Sequence, residues 1–88
     1  MSIHPKKFAH RLTECLEEDY KPDEYERALA TILADKYREF GIDKFSIQPL
    51  LKGTFMPKDN LVEYLADVFN VDPKWLSGEK DITPKPSR

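Results

Sequence analysis

Cysteine, glycine and histidine are scarce in this chain. One cysteine, Cys15, excludes an internal disulfide framework and a multi-cysteine zinc site. Three glycines form no phosphate-cradling loop. His4 and His10 stand at a spacing uncommon among metal ligands. No apolar run approaches the roughly 20 residues that a membrane-spanning helix needs, and residues 1–14 lack the apolar core of a signal peptide. With one thiol, the expected location is the reducing cytoplasm. A large excess of one charge is missing too. The formal net charge is −2, which counts against indiscriminate coating of nucleic acid but leaves room for a local basic face. A length of 88 residues allows one domain.

What is there is helical periodicity. Phe8, Leu12, Cys15 and Leu16 recur at helical spacing and predict an amphipathic helix over 5–19, with Cys15 a buried thiol on its apolar stripe. Lys21–Pro22 interrupts it. A second helix fits 23–40, its stripe marked by Tyr25, Ala28, Leu29, Ile32, Leu33, Tyr37 and Phe40, with Gly41 as its stop. Ser46 can cap a short third helix that holds Ile47, Leu50 and Leu51 and ends at Gly53, with Pro49 in the first turn. A fourth helix fits 59–70 on Leu61, Leu65, Val68 and Phe69. Asp72–Pro73 opens a fifth, over 73–77, which Gly78 closes; Trp75 and Leu76 supply its core residues. No strand pattern of useful length exists. The expectation is an all-α bundle of about five helices, a domain over 1–79 and a flexible tail or linker over 80–88.

Charge is segregated. Residues 14–26 contain seven acids and one base, a net −6, whereas residues 36–58 contain five bases and two acids, a net +3. Two such poles orient a protein on a phosphate backbone, although solvated helix faces give the same pattern.

The segment from Gly41 through Ile42, Ile47 and Leu50 to Gly53 resembles the turn and recognition helix of the lambda-repressor-like helix-turn-helix family, which includes Cro and many phage and bacterial repressors. The likeness continues through residues 57–71, similar to the family's fourth helix, and 72–79, similar to its fifth. Phe8–Leu12 resembles the opening helix more loosely. The run 34–41 is longer than the family's usual alanine-to-glycine spacing, which implies roughly an extra turn before the motif. The resemblance implies a five-helix DNA-binding domain whose helices 2 and 3 form the helix-turn-helix, and a phage-type or bacterial transcriptional repressor. It also implies a homodimer on double-stranded operator DNA. The fifth helix and the C-terminal segment after it would supply the dimer contact, through Val71, Trp75, Leu76 and Ile82.

On that third helix, Ile47, Leu50 and Leu51 would face the core. Lys44, Phe45, Ser46, Gln48 and Lys52 would face outward, with Thr54 and Lys58 beyond to grip the backbone. Gln48 can pair bidentately with adenine, and Lys44 or Lys52 can donate to guanine or phosphate. Ser46 is either a permissive contact or only a cap. Phe45 is either a thymine-methyl contact or a core residue. No nucleophile–base pair or calcium loop is legible, and neither an enzyme nor a cofactor is expected. The rival is a protein-interaction module of the same fold that binds an antirepressor, a toxin or another protein.

Overall fold

Pro5 opens the first helix, because a proline at the first helical position gives up an N–H that has no helical partner there. A computed structural model describes residues 1–81 of the chain. Helix α1, Pro5–Leu16, buries Phe8, Ala9, Leu12, Cys15 and Leu16. It ends short of residue 19. Glu17, Glu18 and Asp19 stand next in a row, and acids are disfavoured at the negative end of a helix dipole. The chain turns instead, with the Tyr20 N–H donating to the Leu16 carbonyl at 2.9 Å.

The helix expected over 23–40 is three pieces. A 3-10 turn, Pro22–Glu24, leads into α2, Tyr25–Leu33, and residues 34–36 form a turn before α3, Tyr37–Phe40. Lys36 leaves helical geometry at φ −116°, ψ 0°. Its N–H bonds the Leu33 carbonyl at 2.9 Å, three residues back rather than the four of an α-helix. In place of the extra helical turn expected before Gly41, the helix breaks.

A second 3-10 turn, Lys44–Ser46, runs into α4, Ile47–Lys52. Helix α5 spans Asp59–Phe69 and stops at Asn70, whose φ of 58° is left-handed, a conformation asparagine tolerates. Val68, expected inside, is 39% exposed, and Val62 and Ala66 are buried instead. Helix α6, Pro73–Ser77, has the expected bounds. The Asp72 carboxylate accepts the Lys74 N–H at 2.8 Å, and Gly78 closes the helix. Six α-helices, two 3-10 turns and no strand make the described residues all-α. None of these helices is long and apolar enough to cross a membrane.

Helix α1 is the hub: α2, α4 and α6 all pack on it, and α5 packs on α6. Phe8, Leu12, Leu29, Leu33, Leu50, Leu61, Leu65 and Leu76 meet in one core. Val71, Trp75 and Leu76 belong to it as well, at 7%, 6% and 0% exposure. These side chains, expected to form a dimer contact, are consumed inside the chain. Ile82, the remaining residue of that contact, lies outside the described residues.

The Arg11 guanidinium lies over the Trp75 ring, 5.3 Å from its centre, and donates to the Trp75 carbonyl at 2.6 Å and the Lys80 carbonyl at 2.7 Å. Lys7 pairs with Asp81 at 3.0 Å, and the Ser2 N–H donates to Glu79 at 2.7 Å. Residues 79–81 therefore strap across the start of α1. Lys80 and Asp81 of the expected tail are tied to the domain, and 82–88 lie outside the described residues. The hydrogen bond from Ser2 holds the Glu79 carboxyl below the usual range, and the hydrogen bond and charge of Lys7 do the same for Asp81.

Candidate nucleic-acid interface

Gly41 ends α3 at φ 66°, a left-handed turn in which a side chain would be strained. Two residues later Asp43 returns to extended backbone and caps the next element. Its carboxylate accepts the Phe45 N–H at 2.8 Å, and its own N–H donates to the Ser46 hydroxyl at 3.2 Å. This is a reciprocal capping box. It satisfies the backbone at the start of the 3-10 turn and so fixes how the whole run from Lys44 to Lys52 leaves the turn.

That run has an inner and an outer side. Ile47 and Leu50 are 4% and 0% exposed, and Leu51 is half-buried against the core. Lys44, Phe45, Gln48 and Lys52 are exposed. Phe45, Gln48 and Lys52 recur at i, i+3 and i+7, the spacing of one helical stripe. Pro49 falls in the first turn of α4, where its absent N–H has no helical partner. Its carbonyl takes the N–H groups of Gly53 and Thr54, each at 3.0 Å, which closes the helix and leaves the Thr54 side chain exposed.

Two candidates settle differently from a simple outward face. Ser46 is 9% exposed with its hydroxyl committed to Asp43. It holds the start of the element and does not reach outward. It does stand at the N-cap position of α4, as expected, but its side chain makes no capping hydrogen bond there; the side-chain cap is that of Asp43 on the preceding turn. Phe45 is not a core residue. It is 75% exposed, with the Lys44 ammonium 5.3 Å from its ring centre.

Lys58 approaches from the loop before α5. A β-carbon on Gly41 would lie 3.2 Å from the Lys58 ammonium, so this charge sits over the turn while Lys52 stands at the far end of α4. Met56, 58% exposed in the same loop, carries no signal in the sequence that marks it for the surface. Asp43 is a cap that the periodicity of the apolar residues does not reveal, although its position three before Ser46 is the spacing of a capping box. Among the described residues no group of three or more His, Cys, Asp or Glu side chains could hold a metal ion.

The outer side thus offers donors and acceptors at Lys44, Gln48 and Lys52, one aromatic ring, and a further cation at Lys58. Such a set matches a duplex edge: ammonium groups for phosphate or guanine, an amide for adenine, an apolar group for a methyl. Comparisons with protein-family models, curated proteins and solved structures find no match to this chain.

Proposed function

We propose that this chain binds duplex DNA sequence-specifically. In this reading α2 and α3 together, the turn at 41–43 and α4 with its leading 3-10 turn form a helix-turn-helix of the lambda-repressor-like kind. The outer side of α4 enters the major groove, which is wide enough to admit a helix. One observation carries the proposal: Lys44, Phe45, Gln48 and Lys52 stand exposed on an element whose opposite side, Ile47 and Leu50, is locked in the core. Rigid anchoring matters because a readout helix that shifts loses its register on the bases. The net charge of the stretch that holds the site supports the reading: residues 36–58 carry +3, which suits a phosphate backbone. Occupying an operator in this way would make the protein a transcriptional regulator.

The direct experiment is selection of the protein on a random duplex library. Enrichment of a defined sequence is the expected result, and a palindrome in it would mean that two copies bind together. The exposure of Phe45 and Met56, 75% and 58%, favours a second reading, a surface for a protein partner. That reading becomes the better one if no duplex is enriched.

A further inference from the structure

Phe45 breaks the pattern of its element. Every other large apolar side chain from Ile42 to Leu51 is buried or half-buried, yet this ring is 75% exposed. Its backbone is held by the Asp43 carboxylate at 2.8 Å, and the Lys44 ammonium lies 5.3 Å from its ring centre. The ring therefore projects from a fixed turn, one helical turn before Gln48 on the same stripe.

The edges of base pairs in the major groove are almost wholly hydrogen-bonding groups. The 5-methyl of thymine is the exception, and an apolar side chain is its natural complement. Lys44, Gln48 and Lys52 can address the polar groups, but none of them gains from a methyl. Resting on the DNA-binding proposal, we infer that Phe45 reads the 5-methyl group of a pyrimidine in the major groove, and so makes thymine, at one position of the site, required through its methyl rather than through its hydrogen bonds. The nearby ammonium draws the neighbouring phosphates or a guanine toward the ring, while contact with the methyl removes apolar surface of both groups from water.

The test starts from the duplex enriched by selection. Each thymine is replaced singly by uracil, which keeps every hydrogen-bonding group and deletes only the methyl. Wild-type protein should lose about four- to tenfold in affinity at one position per copy bound. At that position 5-methylcytosine should be bound more tightly than cytosine by a similar factor. Phe45→Ala, at an exposed site where the fold should be retained, should bind the thymine and uracil duplexes equally. Phe45→Leu, which keeps an apolar tip, should retain part of the difference. Indifference of the wild type to uracil at every position overturns the inference and leaves DNA binding standing. Full discrimination by Phe45→Ala overturns it as well. A chain that enriches no duplex overturns both, and that outcome appears before any uracil is introduced.

Discussion

The Cα of Lys6 lies 3.0 Å from where a β-carbon on Gly53 would sit. The C-terminal end of α4 thus rests directly on the backbone of the first turn of α1, and the orientation of the proposed reading element is set by contact with the hub of the fold. Gly53 also has φ 80°, where an L side chain is strained. Gly53→Ala should destabilise the protein by about 1–3 kcal/mol, from left-handed strain together with the contact to Lys6. Thermal or denaturant unfolding measures it, and a loss below ~0.5 kcal/mol would mean that α4 can shift off α1 at little cost.

Leu65 and Trp75 are 0% and 6% exposed. Leu65→Ala and Trp75→Ala should each cost about 2–5 kcal/mol, because each deletes packed apolar atoms that neighbours cannot fully replace. Trp75→Ala also removes the ring beneath the Arg11 guanidinium. A change within ~0.5 kcal/mol at Trp75 would return this residue to the surface and reopen it as a contact between copies.

The strap formed by residues 79–81 should respond to acid. Glu79 and Asp81 have carboxyl pKa values held down in the folded state, by the Ser2 hydrogen bond and by Lys7 respectively. A lowered folded pKa means that the stabilisation is present above the unfolded value and is lost as pH falls through the folded one. The melting temperature should therefore drop as pH falls from the ordinary carboxylate range to below it. Both groups are exposed, so the effect is small and screened by salt. The double variant Glu79→Gln, Asp81→Asn should show a shallower drop over the same window. An unchanged profile would show that the two carboxylates add nothing to stability, leaving the Arg11 bond to the Lys80 carbonyl as the strap's tie to α1.

Much of the fold is legible in the sequence. Asp72–Pro73 and Gly78 bracket α6 because a capping carboxylate, a first-turn proline and a left-handed glycine each have one favoured place on a helix. Gly41 and Gly53 frame the region of α4 for the same reason. The break at 34–36 is not legible: it contains neither proline nor glycine, and Leu33, Tyr37 and Phe40 keep i, i+4, i+7 spacing across it, so periodicity reads straight through. Val68 sits at a position the stripe allows, yet α5 turns Val62 and Ala66 inward instead. At the site, the lysines and Gln48 are expected from the outer side of a short helix. Ser46 and Phe45 do not resolve from sequence, because a serine three residues after an aspartate can cap or be capped against, and an aromatic ring is more often inside than out. Trp75 and Leu76 read in the sequence both as core and as a contact between copies, because the sequence does not show that α1 packs on α6.

Gln48 and Lys52 should separate in kind. Gln48→Ala should cost about 1–3 kcal/mol on the enriched site and little on scrambled duplex, since it removes a base contact. Lys52→Ala should weaken both about equally and lower the salt slope by roughly one, since it removes a phosphate contact. Both residues are exposed, so the fold should survive either change. If neither substitution alters binding by the folded protein, α4 is not the reading element.

The most direct test of DNA binding is a titration of the enriched duplex at several salt concentrations. Lys44, Lys52 and Lys58 stand on or beside the proposed interface, and each phosphate neutralised contributes a slope of about −0.9 in log K against log salt. The expected result is a linear plot with a slope of roughly −2 to −4, together with weaker but equally salt-sensitive binding to scrambled duplex. Affinity that does not change with salt, or no measurable binding to any duplex at low salt, would contradict the assignment of this face to DNA.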